Sequence, residues 1–259
     1  MATLKFDDEA AHRLEIFYAF PDMRGQREEA RRQLAIRPGE AAIDIGCGPG
    51  FLSESLADAT TSGGRVVGVD ISDDLLEMAR RRNRRPWLSY KTGDAMALAE
   101  PDTSFDVTVS MQVLEYLPDP DAGMRELYRV LRPGGRALAV ATDWDGVVWY
   151  SENPQRMGVV MRAWEQHCTD PHLPRTLGAR LKAAGFTISA VTGYPLINTK
   201  ITDSYSEGIL RLATDFAIQQ NLVPKAELDA WAAEQRALSE QGRYFFGSMR
   251  YFFLAKKPS

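Results

Sequence analysis

Cysteine and histidine are scarce in this 259-residue chain, and their scarcity removes several kinds of chemistry. The two cysteines, Cys47 and Cys168, exclude a disulfide framework, and no C-x-x-C pair offers a metal knuckle. The three histidines, His12, His167 and His172, are scattered, so no metal centre is expected. Positive charge is not in excess either. With 31 Lys and Arg against 35 Asp and Glu, the net charge of -4 gives no general attraction to nucleic acid or an anionic membrane. No apolar run approaches the roughly 20 residues that span a bilayer. The opening MATLKFDDEAAHRLE places acids where a secretion signal needs a basic region and then an apolar stretch. These absences lead to the expectation of a soluble cytoplasmic protein without a nucleic-acid or membrane partner.

What is present is a rhythm. Hydrophobic residues make up 44% of the chain, ample for one α/β core with an appended substructure. From about residue 41, short β-rich runs alternate with amphipathic stretches, the pattern of a mostly parallel sheet covered by helices on both faces. AAIDIG (41–46), RVVGVD (65–70), WLSYKTGD (87–94), FDVTVSM (105–111) and RALAVAT (136–142) read as the first five strands. Ser72 is placed to cap the helix after the second, with Asp73 and Asp74 in its first turn. RPGG (132–135) reads as a turn into the fifth strand. FTISAVTG (186–193) and MRYFFLAKK (249–257) are the sixth and seventh, with Gly185 ending the helix before the sixth. Two segments break the rhythm, 143–174 and 194–242. In them Met157, Val160, Met161 and Trp164, then Tyr205, Ile209, Leu212 and Phe216, and finally Leu228, Trp231 and Leu238 mark helical faces. The expected organisation is an N-terminal helical lid (1–35) and a core (36–257) with helical insertions at 143–174 and 194–242.

The strongest chemical signal is IDIGCGPGF, Ile43 to Phe51, between a buried strand and a helix. Gly46, Gly48 and Gly50 tolerate positive φ and let a ligand approach the backbone where a Cβ would clash. Pro49 fixes φ near the helix start, whose free N–H groups can meet a ligand. A dinucleotide fingerprint, G-x-G-x-x-G, would need glycine where this chain has Phe51, which argues against NAD. Asp70, ending the second strand 20 residues beyond Gly50, can accept both hydroxyls of an adenosine ribose, and Ile71 can pack on the adenine. In Gly93-Asp94-Ala95 the carboxylate can accept from an exocyclic amine while the next N–H donates to a ring nitrogen; an Asx turn is the plainer alternative. Ser110, Met111 and Gln112 end the fourth strand, facing the ligand crevice of an open α/β sheet.

Together these motifs resemble the class I S-adenosylmethionine-dependent methyltransferases, closely over about 36–142. That class implies a Rossmann-like, seven-stranded, mostly parallel sheet with the last strand antiparallel. It implies S-adenosyl-L-methionine as cofactor, with Gly46, Gly48 and Gly50 along the methionine part, Asp70 and Ile71 at ribose and adenine, Asp94 and Ala95 at adenine, and Gln112 beside the cofactor. The chain is further similar to the subgroup of ubiquinone-biosynthesis, arsenite and antibiotic-tailoring enzymes. There, histidine often stands where this chain has Tyr116, in VLEYLPD. YAFPDMRGQREEA (18–30) resembles a lid segment in which Tyr18 would cover the cofactor and Arg24, Gln26 or Arg27 would reach its carboxylate.

The expected activity is methyl transfer to an O, N or C nucleophile of a small organic molecule such as a secondary metabolite. Tyr18, Trp144, Tyr116, Asp143 and His167 are the candidates for substrate contact, the last three also for catalysis. Two distant cysteines fit arsenite poorly. A cofactor-binding protein that does not methylate, a cyclase on the same fold, and an enzyme acting on a macromolecule are the alternatives. The arginine cluster Arg80–Arg82, Arg84 and Arg85 sits at a helix C-terminus, where cations suit the dipole.

Overall fold

The computed structural model describes residues 15–259, so the start of the predicted lid lies outside the described residues. After a helical turn through 15–19, helix α1 (Pro21–Leu34) buries Met23, Gln26, Arg27, Ala30 and Leu34. That face carries two polar side chains as well as apolar ones. The α/β alternation then runs β1 (Ala41–Ile45), α2 (Phe51–Thr60), β2 (Arg65–Asp70), α3 (Asp73–Arg82), β3 (Leu88–Thr92), β4 (Phe105–Met111), α4 (Pro120–Val130) and β5 (Leu131–Thr142). Every residue of β1 is buried, as a central parallel strand sandwiched by helices requires. The Ser72 side chain accepts the Leu75 N–H, the cap expected from the sequence.

The sheet order is β3-β2-β1-β4-β5-β8, with β7 (Thr187–Asn198) on the other side of β8 (Phe246–Lys256). The pairs from β3 through β5 are parallel, and β8 is antiparallel to both β5 and β7. The strand order thus reverses between β1 and β4, opening a crevice beyond their carboxyl ends.

Among the described residues the sheet has eight strands rather than the expected seven. The addition is β6 (Val148–Trp149), a two-residue pairing of the first insertion with the start of β8. RPGG is a bulge rather than a turn: Phe105 pairs with Leu131 and Val107 with Arg136, leaving the residues between to loop out inside β5. Strand β7 runs on to Asn198, past the expected 193, because β8 begins early at Phe246 and pairs along its length. The insertions supply α5 (Pro154–Glu165), then α7 (Tyr205–Gln219) and α8 (Lys225–Glu240), while α6 (Pro174–Ala183) returns the chain to the sheet.

Two apolar cores lie against the sheet, one including Ile43, Phe105 and Met124, the other Leu56, Val109 and Phe252. A third joins the insertions to the N-terminal segment and includes Met23, Trp144, Trp149, Trp164, Tyr205, Trp231 and Phe246. The aromatics at helical spacing in the insertions therefore pack mainly on one another. Asp22 ties α1 to this body by accepting from Asn198 and from the Tyr205 N–H, each at 2.9 Å. Among the described residues no helix is long and apolar enough to cross a membrane.

Candidate functional site

The loop between β1 and α2 is held in a conformation that only glycines adopt readily. Gly46, Gly48 and Gly50 have φ of 72, 52 and 78°. At Gly50 a Cβ would also strike the Tyr90 hydroxyl, at 2.3 Å. At Gly48 the space is open: a Cβ there would meet only the Tyr18 Oη, at 3.8 Å. One Asp70 carboxylate oxygen accepts the Gly48 N–H at 2.7 Å and the other the Ser72 N–H at 2.9 Å. A carboxylate has about four lone-pair positions, so Asp70 can hold the loop and still accept from a ligand. Behind the loop, buried Asp44 accepts the Ser53 hydroxyl at 2.6 Å, and burial pushes its carboxyl up to about 7.

Over this loop lies the N-terminal segment. Tyr18 stacks on Phe51, centroids 5.5 Å apart and planes 9° from parallel. Its hydroxyl is pushed up to about 12 by surrounding protein and then by the Asp70 charge. Arg27 is 8% exposed, its guanidinium 5.1 Å from the Phe51 ring centre, and its Nη1 has no hydrogen-bond partner among the described residues. Burial lowers it to about 10, with Arg24 and Arg82 adding repulsion. Arg24 itself is exposed. A buried guanidinium with a free donor is costly unless something anionic completes it.

Beyond β4, Gln112 takes a left-handed φ of 60°, a strained state for a residue with a side chain. Its Oε1 accepts the Thr142 hydroxyl at 2.9 Å. That hydroxyl in turn accepts from Arg250 of β8, whose Nε donates to Gln26 of α1 at 3.0 Å. The Arg250 guanidinium stands 4.7 Å from the centre of the Tyr205 ring. A buried polar chain thus links the first helix, the last strand and the end of β4.

Glu115 follows in a short 3-10 turn (Leu114–Tyr116) and is fully buried. Neither carboxylate oxygen has a hydrogen-bond partner among the described residues. Burial pushes the group up to about 7; nearby amides, including that of Thr142, and the Arg250 charge pull it down less strongly. Its carbonyl accepts the Thr169 and Asp170 N–H groups at 2.8 and 3.0 Å, fastening the insertion to this turn.

Tyr116 and His167 come together, Oη to Nε2 at 3.3 Å. The His167 ring stacks on Trp164 at 3.6 Å and meets Trp144 edge-on at 4.9 Å. Its Nδ1 faces the Trp164 carbonyl, which only accepts, so the proton sits on Nδ1 and Nε2 accepts the tyrosine hydroxyl. Burial depresses the imidazole to about 4, so it is neutral near pH 7. The indole N–H groups of Trp144 and Trp164 have no hydrogen-bond partner among the described residues.

The remaining sequence candidates are more peripheral. Asp143 accepts from His172 at 3.0 Å and from Arg175 at 2.6 Å, and these hydrogen bonds hold its carboxyl low against the opposing effect of burial. It is therefore already committed. Asp94 Oδ1 accepts the Met96 N–H at 2.8 Å, the Asx turn; Ala95 beside it is half-buried and Ile71 is 70% exposed. In the arginine cluster, Arg82 and Arg85 pair with Glu54, and Arg85 also with Asp58. Sequence reasoning did not single out Asp44, Glu115 or Arg250. For Arg250 a signal existed: Phe246, Ser248, Arg250 and Phe252 alternate along β8, which puts one arginine on a buried face.

Residues 43–139 match the family model described as a methyltransferase domain. The demethylmenaquinone methyltransferase of Lactobacillus johnsonii is 31% identical over 162 residues, 61% of this chain and 62% of that one. The ubiquinone biosynthesis O-methyltransferase of Methylococcus capsulatus is 38% identical over 125 residues, 47% of this chain and 50% of that one. The chain spans about half to three-fifths of the length of these curated relatives. Among solved structures, phosphoethanolamine N-methyltransferase 2 of Haemonchus contortus, in complex with S-adenosyl-L-methionine, has a TM-score of 0.63 at 20% identity, covering 98% of this chain and 58% of that one. Residues 43–139 thus match the methyltransferase domain family, and the fold is the Rossmann-like one of S-adenosylmethionine-dependent methyltransferases.

Proposed function

We propose that this protein transfers the methyl group of S-adenosyl-L-methionine to a nucleophile of a small organic molecule, acting in the cytoplasm. The observation that carries the reading is Arg27, a buried residue whose Nη1 has no partner among the described residues, beside a loop of three left-handed glycines. The residues present fit the cofactor. Arg27 offers its donor to the methionine carboxylate, and the open face of Gly48 admits the methionine chain. Asp70 accepts from the ribose hydroxyls. Ile71 supplies an apolar surface for adenine, with the Asp94 carboxylate and Ala95 N–H at its polar edge. Gln112 stands beside the reacting end and Tyr18 closes over it.

When bound, the cofactor supplies a sulfonium-activated methyl group. The protein's own contribution is then alignment and exclusion of water, which can reach several kcal/mol. We read the aromatic cluster of Tyr116, His167, Trp144 and Trp164, beside the turn that carries Glu115, as the enclosure for a small flat or apolar acceptor. The N-terminal segment and the insertions 143–174 and 199–242 serve as its roof. The names of the quinone-methylating relatives support a small-molecule acceptor. Titration calorimetry with S-adenosylhomocysteine tests the reading, with micromolar binding expected and none for NAD. Absence of saturable binding to the folded protein, or comparable binding of NAD, refutes it.

A further inference from the structure

Of the polar groups around the enclosure, Glu115 is the least explained by the fold. Its backbone carbonyl is already used, accepting from Thr169 and Asp170. Its carboxyl group is fully buried, and both oxygens lack a partner among the described residues. The amides of Glu115 and Thr142 lie near enough to act on its charge but not in hydrogen-bond geometry; buried polar groups are nearly always paired, so two unpaired acceptors in one side chain mark a place where a partner arrives from outside. The groups that face it come from four directions. Arg250 stands on β8, Tyr205 on α7, Asp170 and Cys168 on the segment after α5, and Tyr116 on its own turn. The Tyr116 hydroxyl is already engaged with His167, and Arg250 with Gln26 and Thr142.

Resting on the cofactor site proposed above, we infer that Glu115 receives the hydroxyl group of a neutral, aromatic methyl acceptor and takes its proton during transfer. Charge decides between a hydroxyl and an ammonium. Arg250 faces Glu115 and offsets its charge when it is ionised, so an ammonium group would enter beside a guanidinium. A neutral hydroxyl adds no charge. Trp144, Trp164, His167 and Tyr116 already meet one another by stacking and edge contacts, the geometry in which an aromatic acceptor would join them.

The step balances. The hydroxyl O–H bond breaks and its proton ends on a Glu115 oxygen, while an oxygen electron pair forms the new bond to the methyl carbon. The S–C bond breaks with its pair retained by sulfur, giving an ether and S-adenosylhomocysteine, and Glu115 returns the proton to solvent when products leave. Burial in the enclosure raises the proton affinity of the carboxylate toward neutrality, where a general base is most effective.

The test uses the full chain saturated with S-adenosylhomocysteine and three probes: 1-naphthol, 1-methoxynaphthalene and 1-naphthylmethylamine. Calorimetric titration from pH 6 to 8 should show naphthol binding about tenfold or more tighter than the ether at pH 8, the margin shrinking toward pH 6 as Glu115 protonates. Glu115→Leu should bind naphthol and ether alike at every pH. Glu115→Gln, which can accept a hydrogen bond but no proton, should keep a preference that no longer varies with pH. Equal binding of naphthol and ether by the unaltered protein, tightest binding of the amine, or an unchanged preference in Glu115→Leu overturns the inference while leaving the cofactor site intact. If S-adenosylhomocysteine itself fails to bind, both readings fall.

Discussion

Replacing Arg27 by methionine should move stability and affinity in opposite directions. The methionine keeps an unbranched apolar stem against Phe51 and removes the charge. Arg27 is 8% exposed and its Nη1 has no partner among the described residues, so the fold carries a desolvation cost with little return. Replacing a poorly compensated buried charge by an apolar side chain of similar size is worth about 1–4 kcal/mol. Against this, the contact with Phe51 at 5.1 Å is worth about 0.5–2 kcal/mol as a cation–π interaction. Arg27→Met should therefore unfold at an unchanged or higher temperature without ligand. A hydrogen bond to a charged group contributes about 1.5–3 kcal/mol. Loss of the carboxylate partner should thus weaken S-adenosylhomocysteine by roughly 10- to 150-fold. Scanning calorimetry gives the first quantity and titration calorimetry the second. The methyl ester of S-adenosylhomocysteine completes a double-mutant cycle, since it should bind the variant and the parent nearly equally. A variant that loses stability but binds the free acid as tightly as before would refute the assignment.

Asp70→Ala should weaken S-adenosylhomocysteine by about 2–4 kcal/mol, since two ribose contacts are lost and the Gly48 amide loses its acceptor; calorimetry reads this, and an unchanged dissociation constant would exclude the ribose role. Gly48→Val should abolish binding while the protein still folds, because the added side chain enters open space but forces a branched residue to φ 52°, at a cost of about 1–3 kcal/mol visible as a lowered melting temperature. His167 should make stability fall with acid: its folded value of about 4 lies below the unfolded 6.5, so from pH 6.5 down to 4 the unfolded chain binds the proton first. His167→Gln should therefore remove a slope on the order of 1–3 kcal/mol across that window in denaturant titrations. Glu115 has the opposite sign, being raised, so Glu115→Gln should gain stability above pH 7 and none at pH 4.

The parts of the site legible in the sequence are those written in short, contiguous stretches. The glycine loop, Asp70 at the end of β2 and the Ser72 cap each depend on residues within a turn or two of one another, and the spacing carried them. The β7 extension did not announce itself, since it is only five residues long, contains Pro195 and draws its pairing from β8. Tyr116 and His167 lie 51 positions apart and meet only because Thr169 and Asp170 are bonded to the Glu115 carbonyl. Gln26 and Arg27 sat in a charged segment that reads equally well as a solvated helix face. Only the packing of α1 shows that these two face inward while Arg24 faces out. A buried charge is invisible to hydrophobic periodicity because it violates the pattern by which burial is recognised.

The polar chain from Gln26 through Arg250 and Thr142 to Gln112 sets a timetable for synthesis. The ribosome releases Gln26 and the glycine loop early, but Arg250 only with the last strand, which lies between β5 and β7 in the sheet. Until β8 inserts, β5 has an open edge, α1 lacks its polar anchor and the enclosure has no wall on that side. The order of synthesis therefore leaves the polar chain and the edge of β5 to be completed together, in one late event.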